Sequence, residues 1–341
     1  MKRWSAIGLI SLAALAGGCS VALGLERKEL VVDAGDAADA GDAADALEEF
    51  DPEPSDCKFT DPKYQSARWP VPPDALDGTN YVIDEDGGTV LDLTTGLMWQ
   101  RAAGGDVIFD DAKCACTNLV LGGYPDWRLP SYPEMATIVD YAKNVDPAGT
   151  GTYEAATNLT VFPDMRVTAY WTTTSVSGFA KEDLNAIDFT NGRGNTSIGP
   201  TGFVPYRCVR TATKTSDPSP RFTVADGLVT DAVTGLEWQQ KSPPQMAYDA
   251  SFGYCVSLTL AGKRGFHLPT IREYVTLLDF SRAKEPYVDI IAFPVVAESW
   301  MSSTRYGADP RTSLWVVATY GANLIPVDDV DKRSVLCVRK P

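Results

Sequence analysis

The chain contains a single histidine, His267. Hydrolases built on a serine, a cysteine or a zinc ion use imidazole as base or ligand, so one unaccompanied His excludes most of them. Paired carboxylates can cleave a glycosidic bond, but no Asp or Glu pair recurs at a marked position. The seven cysteines contain no C-x-x-C pair, which argues against a zinc or dithiol redox site. No catalytic residue, metal ligand or cofactor is expected. The remaining chemistry is binding, and its candidates lie in two loops. One is Asn144 to Thr160; the other is "TNGRGNTSIGPTG" at 190–202, a Gly-rich hairpin tip carrying Arg193 with Asn191 and Asn195. Function concentrates on such loops, and the guanidinium of Arg193 suits an anionic group.

The elements that hold those loops are written twice. Sliding the chain against itself by 139 residues aligns "TTGLMWQ" (94–100) with "VTGLEWQ" (233–239), Cys116 with Cys255, and Leu129-Pro130 with Leu268-Pro269. After a ten-residue deletion the offset becomes 129; Trp171 then meets Trp300, Asp188 meets Val317, Gly192 meets Gly321, and "RCVR" (207–210) meets "LCVR" (336–339). Matches in one order at a fixed period mean duplication. In "GYPDWRLPSYPEM" Ser131 and Glu134 form a capping box, as Thr270 and Glu273 do in "GKRGFHLPTIREY". A helix is expected after each, with Met135, Ile138, Val139 and Ala142, or Tyr274, Leu277, Leu278 and Ser281, facing inward. Trp127 and Phe266 belong to the core, so this motif is a fold signature. "DDAKCACTNLV" and "AYDASFGYCVSL" read as the first helix of each copy, while "TVLDLTTGLMWQ", "AYWTTTS", "NAIDFTN" and "PYRCVRT", with their counterparts, read as short strands. Each copy, able to bury a core of its own, is α+β with two helices and short antiparallel strands.

The duplication also orders the cysteines. Cys116–Cys208 and Cys255–Cys337 would join the first helix of each copy to its last strand. Cys57 and Cys114 are left over in the first copy; positions 114 and 116 lie about 200° apart on a helix, so Cys114 is expected to turn toward the leading segment and bridge Cys57. Cys19 stays outside this set.

The start, "MKRWSAIGLISLAALAGGCS", has a basic head, an apolar run too short for a permanent span, and small residues before Cys19. It resembles a bacterial lipobox, which implies cleavage before Cys19, acylation of its thiol and, with Ser20 next, an outer-membrane or cell-surface location. Residues 20–56 carry twelve acidic residues against two basic ones, much of the formal charge of −15. Within them "DAGDAADAGDAADA" repeats Asp among weak helix formers, and a solvated, disordered tether is expected. The rest is mildly acidic, which excludes nucleic acid as a partner because such binding needs clustered Lys and Arg.

"TGLMWQ", "LGGYPDWRLPSYPEM", "YWTTTS" and "RCVR" resemble the C-terminal domain family of the Legionella collagen-like protein. The second copy departs from that pattern with Phe266-His267 for Trp-Arg and Glu237 for Met98. The resemblance implies C-type-lectin-like modules and, in the named relative, adhesion to sulfated glycosaminoglycans; it implies no enzyme. The calcium-binding runs of sugar-binding C-type lectins are missing here. The expected organisation is a signal peptide (1–18), a tether (19–56), a first module (57–210), a linker (211–221) and a second module (222–341). The expected function is non-catalytic binding or adhesion to a glycan or surface protein, the membrane being reached through the N-terminal lipid. A structural envelope protein without glycan binding is the alternative, and a carbohydrate-active enzyme stands behind both.

Overall fold

The computed structural model of the protein describes residues 65–341 except 74, 75, 144, 147–150, 176–183, 214–217, 283, 295 and 308; of side chains 184, 185 and 195–197 nothing is described either. The expected signal peptide and tether, with Cys19 and Cys57, therefore lie outside the described residues. All that is described belongs to one compact unit, Glu53–Pro341.

The first copy contributes a four-stranded antiparallel sheet in the order β1 (Tyr81–Ile83), β2 (Thr89–Asp92), β3 (Leu97–Gln100), β7 (Val209–Thr211). Its β2–β3 turn is built by buried Asp92, whose carboxylate accepts the Thr94 and Thr95 amides, and closes at Gly96 with φ 68°, a left-handed conformation natural to glycine. Helix α1 (Phe109–Thr117) precedes the short α2 (Tyr132–Met135), and a second, three-stranded sheet runs β4 (Ala169–Ser175), β5 (Leu184–Asp188), β6 (Arg193–Ile198). The second copy repeats the plan. Strands β8 (Phe222–Ala225), β9 (Leu228–Asp231), β10 (Glu237–Gln239) and β14 (Val338–Arg339) form one sheet, and β11 (Ser299–Arg305), β12 (Ser313–Ala318) and β13 (Asn323–Asp328) the other, with helices α3 (Tyr248–Ser257) and α4 (Ile271–Val275). Mostly antiparallel sheets with few helices, in two copies, make an α+β architecture.

Two bridges tie first helix to last strand: Cys116–Cys208 and Cys255–Cys337, each with Cα atoms 5.4 Å apart. Cys114 is also disulfide-bonded, and the expected partner Cys57 falls outside the described residues.

Four expectations are corrected. Both helices after the capping boxes are shorter than their apolar spacing suggests. Helix α2 passes into a 3-10 turn, Ala136–Ile138, and the chain is extended at Val139. The reason is competition for carbonyls: Ile138 O accepts the Thr157 hydroxyl, Val139 O accepts Arg272, and the Asp140 amide donates to Ala156 O, so no ladder can continue. Ala142 and Ser281 are exposed. Second, much of 190–202 is strand β6 instead of hairpin tip, leaving a tight turn at 189–192.

Third, the copies are out of step by one residue in this sheet. The Thr173 amide donates to Pro130 O as the Ser303 amide donates to Pro269 O, and Thr174 and Thr304 hydroxyls both accept the first helical amide. The offset here is 130. Trp171 thus corresponds to Met301, Tyr170 to Trp300, Asp188 to Ala318 and Gly192 to Ala322. A slip of one residue exchanges the two faces of a strand, and the burial agrees: Trp171 and Met301 sit in small satellite cores beside the disulfides, Tyr170 and Trp300 in the main core.

Fourth, the modules do not keep separate cores. One continuous apolar cluster takes Trp99, Tyr132, Tyr141 and Phe162 from the first copy and Trp238, Tyr274, Trp300 and Trp315 from the second. Tyr132 packs on Phe280 at 5.1 Å, and Trp315 Nε1 donates to Tyr141 O at 2.8 Å. Arg272, on α4 and almost fully buried, donates to Thr137 O at 3.1 Å and to Val139 O. Strands β6 and β13 lie alongside one another. At Gly307 the backbones come so close that a Cβ would sit 1.9 Å from Lys143 O. The arm at 65–73 crosses this seam: Gln65 O accepts the Phe280 amide, its side-chain oxygen accepts the Thr174 hydroxyl, Ser66 bridges Asp279, and Ala67 and Trp69 are buried.

Candidate binding site

The repeated motif spends its charges on the scaffold. Arg128 forks onto buried Glu134 with contacts of 2.7 and 2.5 Å and reaches Thr211 at 3.3 Å, while Glu134 accepts the Ser131 amide at 2.8 Å. Arg128 also pairs with Val209, so the fork locks the helix start to the last strand. In the second copy His267 Nε2 lies 3.0 and 3.1 Å from the two Glu273 oxygens, and His267 pairs with Val338. A lone imidazole substitutes for a guanidinium in the same joint. Beside that joint a cleft of about 370 Å³ opens against Pro70–Pro73 and Lys340.

Of the predicted binding residues, Arg193 is exposed at the start of β6, opposite Asp188 in the register. Asn191 serves the turn, its side-chain oxygen accepting the Arg193 amide at 3.0 Å; the side chain of Asn195 is outside the described residues. The structure brings Arg193 to the seam. Neighbouring Gly192, φ 80°, packs toward Val139, Tyr141 and Trp315, and the ring of Tyr306 stands edge-on to Trp315 at 5.1 Å. The Tyr306 phenol is pushed up by burial, drawn back by Arg193 and raised by Tyr153 and Asp188. Tyr153, half exposed, belongs to the other candidate loop, which Lys143 fastens through Glu154 at 3.2 Å. The turn at 189–192 of the first module thus reaches the seam near Tyr306 of the second, and the charges of Arg193 and Asp188 act on that phenol. Tyr306 escapes sequence reasoning because nothing in a linear repeat shows which surfaces of the copies meet. The exposed guanidinium of Arg193 at this seam can hold an anionic group.

Among the described residues no cluster of three His, Cys, Asp or Glu could hold a metal ion, and no helix is long and apolar enough to cross a membrane.

A doubled α+β module, bridged from first helix to last strand in each copy and fused through one core, defines a tandem-domain protein. The model of the Lcl C-terminal domain family matches residues 88–210 and 227–339, and the chain belongs to that family. A comparison with curated proteins gives no match.

Proposed function

We propose that the protein is an exported, lipid-anchored surface protein whose paired C-type-lectin-like modules bind a glycan without catalysis, an acidic substituent of that glycan being taken by Arg193. The observation that carries this reading is the exposed guanidinium of Arg193 at the seam, next to Gly192, which abuts Tyr141 and Trp315, while the charges of the shared motif are committed to internal joints. Acylation of Cys19 tethers the pair through its acidic spacer. Exported proteins use even cysteine sets as disulfides, which supports the location.

The test is a glycan array with the full-length protein in detergent, read at several salt concentrations. Retention of sulfated or uronate glycans that weakens with salt and falls about ten- to hundredfold in Arg193→Ala is expected, since one charge-assisted contact contributes about 1.5–3 kcal/mol. Equal retention by Arg193→Ala refutes the seam, and absence of any retained glycan refutes the function. Mass spectrometry of the N-terminal fragment from native membranes checks the anchor: an unmodified Cys19 overturns it.

A further inference from the structure

The second module carries a cleft of about 580 Å³ on the face of its three-stranded sheet, lined among others by Gln245, Val296, Glu298, Tyr320, Ile325 and Arg333. That volume falls within the ordinary range of small-ligand sites. Tyr320 stands at the β12–β13 turn with 45% of its surface exposed, and Ile325, 40% exposed, follows on β13. Together they offer an aromatic and aliphatic platform. Arg333 is already engaged by Asp331 at 3.0 Å, so the uncommitted charge is the Glu298 carboxylate. No hydrogen bond or ion pair engages the side chains of Gln245, Glu298 or Tyr320 among the described residues.

The first module shows what closes the same place. Val107 pairs with Val204 where Met246 pairs with Arg333, so Asp106 stands where Gln245 does. The Phe189 amide donates to Thr168 O as the Thr319 amide donates to Glu298 O, so Arg166 lies two residues ahead of its anchor just as Val296 does. In the first copy these positions hold a fork from Arg166 onto Asp106, one contact being 3.0 Å. The second copy has an amide and an apolar side chain there, and the span lies open.

We infer that this cleft is a second saccharide site, specific to the second module, for an uncharged or amino-bearing hexose. A pyranose sets its C–H face against an aromatic ring, and a carboxylate and an amide accept and donate to its hydroxyls. The Glu298 charge repels sulfate or uronate, so the ligand differs in class from the anion held at Arg193. The site is independent of the seam and stands or falls separately.

The experiment titrates the full-length protein with neutral and amino-substituted oligosaccharides, cello-oligosaccharide and chitosan oligomers serving as probes, followed by tyrosine and tryptophan fluorescence and by calorimetry. Wild type binds at least one probe. Tyr320→Ala, an exposed turn position, and Glu298→Gln each weaken binding about tenfold. The double variant Gln245→Asp with Val296→Arg installs the fork of the first copy and abolishes binding, while Arg193→Ala leaves it unchanged. Unaltered binding in Tyr320→Ala or in the double variant, or no binding of either probe class by wild type, overturns the proposal. Near-ultraviolet circular dichroism of each variant verifies the fold, so a lost signal from misfolding is recognised and replaced by the Glu298→Gln measurement.

Discussion

Replacing Arg272 with methionine tests whether the two modules are thermodynamically one. The guanidinium leaves α4 of the second copy and ends on two carbonyls of the first, Thr137 and Val139, with its carbon 5.6 Å from the Tyr141 ring centroid. Methionine keeps the apolar stem and removes the donors, stranding both carbonyls in a buried place. Two hydrogen bonds from a charged donor contribute about 3–6 kcal/mol gross. Part of that is offset because the variant no longer desolvates a cation, which leaves a net loss of about 3 kcal/mol. For a unit of this size about 2–4 °C of Tm follows each kcal/mol, so a fall of roughly 6–12 °C is expected. Urea unfolding should show a single transition in wild type and in the variant, with the midpoint displaced. Hydrogen exchange should report raised opening in both copies, including β2 and β3, which Arg272 does not touch. Two separated transitions in wild type, or faster exchange confined to the second copy, would refute a shared core.

Other consequences can be checked alongside. Replacing Cys116 and Cys208 together by serine reopens a 92-residue separation, costing about 4–5 kcal/mol in the chain-entropy view, and under the shared core the urea midpoint of the whole unit falls. The Glu237 carboxylate is opposed by burial, yet hydrogen bonds and charge from Lys263 and Arg339 hold its pKa below the ordinary glutamate value. A depressed folded pKa gives stability that is present above the unfolded value, about 4.3, and lost as pH falls through the folded one. Glu237→Gln should therefore narrow the difference between urea midpoints at pH 5 and pH 3; an unchanged difference counts against the pairing. Gly307→Ala drives a Cβ into Lys143 O and should lower Tm by several degrees, whereas Gly105→Ala, which meets nothing within 4 Å, should leave Tm near that of wild type.

Local features were legible from the chain wherever one residue type has one physical use. The capping boxes at Ser131 and Thr270 marked helix starts, and repeated spacing pointed to the cysteine pairs. What escaped was decided across space. The length of α2 depends on carbonyls taken by Thr157 and Arg272, and neither is adjacent in the chain. The strand register was misjudged because two tryptophans, Trp171 and Trp300, looked like a match, while the hydrogen bonds to Pro130 and Pro269 place them on opposite faces. Arg193 stood out as a lone charge in a Gly-rich stretch; Tyr306 could not, because its relation to Arg193 exists only once the copies dock. The open cleft of the second module was hidden in an unremarkable exchange of Asp106 for Gln245.

The arm at Gln65–Pro73 works as a clasp. The Gln65 carbonyl accepts from the second copy and its side-chain oxygen from the first, and Trp69 is buried in the shared core. Trimming the chain to its two repeats would therefore remove part of what holds them together.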